Sequence, residues 1–130
     1  MKALSVRQPY ADLIASGRKT VELRSRATHH RGPLLICSSK TPSEGLHFPE
    51  NALLGFALCV VDLVGCEPFT LLHGPSSAVP ADRLAGRGGF AWVLRNARPV
   101  VSFPVRGQVV LWDVPDNKIH LALGAGFLTG

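Results

Sequence analysis

Hydrophobic and polar positions alternate in short runs along this chain, which predicts a domain built mainly from β-strands. After a first apolar strand at 3–6, positions of period two make 20–25 a strand with one charged face. Further strands are predicted at 34–38, 53–64 (with Gly55 as a bulge or bend), 90–94, 100–103, 109–114 and, last, 119–123. Because six or seven short strands would leave open edges unless the sheet closes, we expect a small closed or nearly closed β-barrel.

Helical periodicity is confined to one or two short segments. Residues 9–16 open on a proline, repeat apolar residues at helical spacing and precede Gly17, a left-handed stop, so they are predicted to form a two-turn helix. Two loops follow, at 39–51 and 67–89, and only 80–84 in the second is typical of a helical turn. Loops longer than about 12–15 residues are usually functional or mobile, so the second loop is a candidate part of a site.

Composition indicates a folded domain and excludes several protein classes. The 130 residues, 46% hydrophobic and 18% charged, predict a single domain over 1–130 with a buried core. The longest apolar run is far short of the ~20 residues of a membrane helix, and no secretory signal pattern opens the chain. We therefore expect a soluble, cytoplasmic protein without membrane contact. Its three cysteines lack CxxC spacing and are expected to be buried hydrophobes.

The formal net charge of +5 is concentrated in the first quarter of the sequence. Residues 1–31 hold seven positive and two negative side chains, whereas the remaining chain is neutral overall. Such a cationic segment either attracts phosphate, nucleic acid or another anion, or is simply a solvated face. Charge alone leaves both interpretations open.

The segment 17–24 concentrates ionisable side chains immediately after the predicted helix. Lys19 lies in the turn, and Glu22 and Arg24, two residues apart on a strand, leave the same face. If that face lines the barrel mouth, the three groups converge, and the cations are placed to receive a phosphate or a polarised carbonyl. Lys19 is alternatively a general base, and the three are alternatively a surface salt bridge, which contributes only ~0–1 kcal/mol.

Two stretches of the sequence carry a family resemblance. Leu-Ser-Val-Arg-Gln-Pro-Tyr-Ala at 4–11, followed by Gly-Arg-Lys-Thr-Val-Glu-Leu-Arg at 17–24, resembles the start of an ASCH domain, with its G-x-K-x-x-E-x-R signature. That family is similar to the PUA domain, a small β-barrel used in RNA recognition. Segments 53–57, 89–94 and 107–112 also resemble strands of the family. The resemblance implies a mostly β (α+β) fold, a small PUA-like β-barrel with one or two short helices.

The resemblance also implies a cleft that binds RNA or a modified nucleoside. The ligand-binding residues it indicates are Ser5, Arg7, Gln8, Pro9, Tyr10, Lys19, Glu22 and Arg24. Lys40, at the end of a predicted strand, is a further candidate at the barrel rim. Tyr10 is the better candidate for base stacking, whereas Trp92 and Trp112 are expected to pack in the core.

Two other functions remain open at this point. Some members of the family are described as amidohydrolases of acylated cytidine and others as ribonucleases, so a hydrolase using Lys19 and Glu22 is the first alternative. Since the amidohydrolases carry a threonine at the position of Glu22, Thr20 on the same face is a further catalytic candidate. A protein-interaction module, suggested by the apolar content, is the second alternative.

Two expectations concern residues outside this cluster. Adjacent His29 and His30 lack a third ligand at a defined spacing, so no metal site and no cofactor are predicted, although a divalent metal requirement stays open. Arg106, far along the sequence, is expected to lie apart from the cationic cluster.

Overall fold

A computed structural model describes residues 1–122, and these form a mostly β fold with short helices. The strands are β1 (Lys2–Val6), β2 (Val21–Arg24), β3 (Gly32–Ser38), β4 (Ala57–Pro68), β5 (Phe90–Pro99) and β6 (Trp112–Asp113). The helices are α1 (Tyr10–Ala15) and α2 (Gly74–Ser77), with 3₁₀ turns at Leu71–His73, Ala81–Arg83 and Asp116–Lys118. The predicted mostly β architecture with short helices is confirmed.

The six strands form one curled sheet in the order β2-β5-β4-β3-β1-β6. The β1–β3 pair is parallel, and the other four pairs are antiparallel. In a flat sheet, β2 and β1 would stand roughly 19 Å apart, at about 4.8 Å per strand. Yet Arg24 Nη1 on β2 lies 3.4 Å from the carbonyl oxygen of Ser5 on β1. The sheet therefore curls into a half-barrel, and within residues 1–122 its edge strands β2 and β6 are not paired with each other.

The central strands β3 and β4 are buried on both faces. Along β3, Leu34 and Ile36 pack with α1 and Trp92 in one cluster, while Leu35 and Cys37 pack in a second cluster on the opposite face. A strand covered on both sides reads as a continuous apolar run, which is why this element was predictable from the sequence. Trp92 is 4% exposed, in agreement with the expected core role.

The helix and turn predictions are close to the structure. The helix predicted at 9–16 is α1, with Pro9 as its N-cap residue and Gly17 at φ +81° just after it. The turn predicted at 80–84 is the 3₁₀ turn Ala81–Arg83. The strand predicted at 20–25 is one residue shorter at each end, a normal boundary difference.

Three strand predictions in the second half of the chain were wrong in whole or in part. Residues 101–103 form no strand: β5 runs on to Pro99, and Val100 makes only an isolated bridge to Leu121. In the run predicted at 109–114, only Trp112–Asp113 pairs, and Val109 is 92% exposed in a loop. At 119–122 that bridge is the only pairing described, and Leu123 lies outside the described residues.

The central strand of 53–64 begins later and ends later than predicted. Gly55, at φ +80°, precedes β4 rather than forming a bulge inside it, so the chain bends before the strand starts at Ala57.

Within residues 1–122, no helix combines the length and hydrophobicity that crossing a bilayer requires.

The two-sided burial of β3 predicts a large stability loss on truncation there. Leu34 is fully buried, so Leu34→Ala is expected to lower the free energy of unfolding by about 2–5 kcal/mol through lost burial and a cavity. Leu72, 91% exposed, is the matched control, and Leu72→Ala is expected to change it by less than about 0.5 kcal/mol. Urea unfolding followed by circular dichroism measures both. Equal losses in the two variants would contradict the packing described here.

Candidate functional site

A cavity of about 750 Å³ opens on one side of the curled sheet. Its wall is built from β1 and the start of α1, from β2, and from three irregular segments, 38–55, 79–87 and 106–109. Its charged lining side chains are Arg7, Lys19, Glu22, Arg24, Lys40, Arg83, Arg87 and Arg106. These are seven cations and one carboxylate, so the lining carries a formal charge of +6, more than the +5 of the whole chain.

Lys19 lies at the inner wall, with its side chain 1% exposed. Its Nζ donates to the carbonyl oxygen of Ser77 at 2.6 Å and lies 3.4 Å from Oε1 of Glu22. It also stands 4.9 Å from the centre of the Tyr10 ring, in cation–π contact. Burial lowers the pKa of Lys19, and the neighbouring Glu22 carboxylate opposes that shift without cancelling it.

Glu22 lies between two cations, as its position on the strand predicted. Its Oε2 is 3.3 Å from Nη1 of Arg24, on the side opposite the Lys19 contact, and its side chain is 9% exposed. Arg24 also lies over the Trp92 ring, 5.9 Å from the ring centre. Lys19, Glu22 and Arg24 therefore meet in one partly desolvated recess, with a net charge of +1.

The backbone position of Arg24 depends on a glycine of the long loop. Gly89 adopts φ +89°, and a Cβ atom built there would stand 2.5 Å from the carbonyl oxygen of Arg24. Only a residue without a side chain permits this approach. Gly89 thus has a packing role beside the strand that carries the site.

Most of the residues predicted for the site line the cavity. Those that do are Ser5, Arg7, Tyr10, Lys19, Glu22, Arg24 and Lys40. Gln8 does not: it is fully buried, donates to the carbonyl oxygen of Leu53 and accepts from the backbone N–H of Asp12. Pro9 precedes α1 outside the lining. Thr20 is exposed and also outside it. Its backbone forms hydrogen bonds with Ser76 and Leu94 just before β2 begins.

Sequence reasoning missed three arginines of the site. Arg83 and Arg87 come from the long loop, which its length had marked as a candidate, although no pattern singled out these side chains. Arg106, expected to lie apart from the cluster, lines the cavity instead, since the 106–109 segment approaches Ser5 of β1. Conversely, Lys2, from the basic first quarter, pairs with Asp113 at the far edge of the sheet. The cationic surface is thus formed by residues that are distant in the sequence and close in the fold.

Within the described residues, no group of three or more His, Cys, Asp or Glu side chains is placed to hold a metal ion. His30 instead bonds the carbonyl oxygen of Pro33 through its ring. The two most buried thiols are likewise unsuited to ligation, because burial raises the pKa of both Cys37 and Cys59 to about 12.

Comparison with known proteins gives a family and a fold. The family model of the ASCH domain matches residues 4–101. Activating signal cointegrator 1 of Homo sapiens is 31% identical over 150 residues, covering 96% of this chain and 24% of that protein. Its Mus musculus counterpart is 31% identical over 143 residues with the same coverage. This chain therefore spans about a quarter of the length of these relatives.

Solved structures agree in fold at low sequence identity. The crystal structure of ASCH from Zymomonas mobilis superposes with a TM-score of 0.66 at 14% identity, covering 90% of this chain and 89% of that chain. A mutant of the same protein gives a TM-score of 0.65. The half-barrel, the signature at 17–24 and the family match agree: the chain belongs to the ASCH domain family.

Proposed function

We propose that this chain binds single-stranded RNA in the cationic cavity. The observation that carries the proposal is the lining charge of +6, which exceeds the net charge of the whole chain. Seven cations around one recess repel one another, and a phosphodiester backbone neutralises several of them at once. A neutral nucleoside alone would leave that repulsion in place.

Five of the cations that line the cavity have no acidic partner among the described residues. Outside the cavity, Lys2 and Arg98 pair with Asp113 and Asp62. The other cations outside it form no ion pair with the described residues: Arg18, Arg26, Arg31, Arg95 and Lys118. The five in the cavity are distinguished by lying around one recess: Arg7, Lys40, Arg83, Arg87 and Arg106. Exposed cations without acidic partners are available to phosphates.

Tyr10 supplies an aromatic wall within the same cavity. Its ring is half-buried and faces the lining, with the Lys19 ammonium beside it. An aromatic ring next to a cationic groove is the usual platform for an unpaired base. Since duplex RNA keeps its bases stacked and paired, a recess of this kind favours a single strand.

Hydrolysis is the second candidate, and one observation favours it. Burial lowers the pKa of Lys19, and a carboxylate stands beside it. However, both groups are occupied by protein partners, Lys19 by Ser77 and Glu22, and Glu22 by Lys19 and Arg24. A general base must reach a substrate proton, so the geometry supports binding better. A protein-interaction role stays a prediction from the apolar content.

RNA binding is expected to depend steeply on salt and on the arginines of the mouth. For a single strand, the slope of log K against log[salt] is about −0.7 per phosphate neutralised. Arg87→Gln and Arg106→Gln are each expected to reduce that slope by about 0.7. Arg95→Gln, which removes an exposed arginine outside the cavity, is the matched control and should leave it unchanged. Fluorescence anisotropy with a labelled oligonucleotide at several salt concentrations measures each slope.

Two results of this titration would reject RNA binding in the cavity. One is the absence of binding at low salt. The other is an equal reduction of the salt slope in Arg87→Gln and Arg95→Gln, which would indicate a diffuse electrostatic attraction.

Binding without catalysis makes a separate prediction about turnover. Incubation with acylated cytidine and with RNA, each with and without divalent metal, is expected to show no turnover above buffer by chromatography. Turnover that disappears in both Lys19→Ala and Glu22→Gln would instead place hydrolysis at this pair. Turnover that survives both variants would indicate a contaminating enzyme or another site.

A further inference from the structure

The Lys19 ammonium uses its hydrogen-bonding capacity within the protein. An ammonium has three N–H donors. Its three neighbours are the Ser77 carbonyl oxygen at 2.6 Å, the Glu22 carboxylate at 3.4 Å and the Tyr10 ring at 4.9 Å. With a side chain 1% exposed, Lys19 lines the cavity but has little surface to offer a ligand.

The partner at 2.6 Å belongs to the long loop. Ser77 is fully buried, and its hydroxyl donates to the carbonyl oxygen of Gly74 and accepts from the backbone N–H of Val79. Next to it, the carbonyl oxygen of Ser76 accepts from the backbone N–H of Thr20 at 2.9 Å. Two adjacent carbonyl groups of α2 thus accept hydrogen bonds from two adjacent residues just before β2, one from the Lys19 ammonium and one from the backbone N–H of Thr20.

The loop continues from α2 directly to two arginines of the cavity mouth. Val79 lines the cavity, and the 3₁₀ turn Ala81–Arg83 follows. Leu84, 5% exposed, packs with Val21 and Leu23 of β2. Arg83 and Arg87 stand on either side of this buried leucine and face the cavity. The backbone that carries them therefore depends on how α2 and Leu84 are seated against β2, and the Arg83 guanidinium also donates to the carbonyl oxygen of Glu44.

We propose that Lys19 is a positioning residue that holds the 74–87 segment so that Arg83 and Arg87 face the ligand phosphates. This inference rests on the proposed RNA binding for its effect on affinity. Its contribution acts through the Ser77 carbonyl, whereas the phosphates contact the two arginines.

The salt slope separates this role from a direct charge contact. Lys19→Met and Lys40→Met each remove one lysine charge from the cavity lining, but Lys40 is exposed and forms no ion pair with the described residues. Lys40→Met is expected to reduce the slope by about 0.7. Lys19→Met is expected to reduce it by about 1.4, as much as the Arg83→Gln/Arg87→Gln double variant, because both arginines lose their placement.

The combined variant completes the test. Adding the two arginine substitutions to Lys19→Met is expected to reduce the slope no further, since the same two contacts are already lost. A reduction of only about 0.7 for Lys19→Met, additive with that of the arginine pair, would overturn the proposal and make Lys19 an ordinary phosphate contact.

A charge-neutral variant covers the risk that Lys19→Met does not fold with Glu22 buried beside it. Lys19→Met/Glu22→Gln leaves the lining charge at +6, so a purely electrostatic role predicts an unchanged slope. The positioning role predicts the same reduction of about 1.4.

Hydrogen exchange tests the same inference without RNA. The backbone amides of 78–87 are expected to exchange at least tenfold faster in Lys19→Met/Glu22→Gln than in the unsubstituted chain, and unchanged in Lys40→Met. Unchanged exchange in both would overturn the proposal. If the unsubstituted chain binds no RNA, the proposed function fails, and this measurement still decides the role of Lys19.

Discussion

A carboxylate buried between two cations is the constraint on which the rest of this molecule depends. Taking Glu22 out of water is costly, and only close, well-placed partners offset that cost. Lys19 and Arg24 provide them from within six residues of sequence, because a turn delivers one and the same strand face delivers the other. The curl of the sheet then brings the Ser5 carbonyl against Arg24. The network therefore joins β1 to β2 across the open side of the half-barrel, where the cavity forms.

The cationic side chains that line the cavity repel one another, and an anionic ligand reduces that repulsion. Its lining draws cations from the segment between β1 and α1, from the turn before β2, from β2 and from three irregular segments, and holds one carboxylate among them. Concentrated like charge opposes the compact state. A ligand that binds only the folded form also stabilises it by mass action, so occupancy and stability rise together. The same recess contains one half-buried aromatic ring, Tyr10, which gives a bound strand a surface other than charge.

The sequence predicts those parts of this fold and site that are encoded locally. Residues 34–37 form a continuous apolar run, which predicts a strand buried on both faces, and all four are buried. Glu22 and Arg24 share a face because side chains alternate along a strand. Arg83, Arg87 and Arg106 were not predictable, since irregular segments have no period from which to read a side chain's direction. The strand predicted at 109–114 was too long for a related reason. The β-branched side chains of Val109 and Val110 favour a strand, but in the described structure neither residue belongs to one. Gln8 shows the converse limit, because a polar residue in a signature can serve a buried hydrogen-bond network.

The guanidinium of Arg83 donates from Nη2 to the carbonyl oxygen of Glu44 at 2.8 Å, and so fastens one rim loop to the other. A guanidinium has five donors, and this bond uses one of them. Arg83 can therefore keep its hydrogen bond to the neighbouring loop while its remaining N–H donors bind a ligand phosphate. The entrance is pre-organised in this respect, and association does not have to bear the full entropic cost of ordering that side chain. Because the acceptor belongs to the main chain, substitutions of the side chain at position 44 leave the fastening intact.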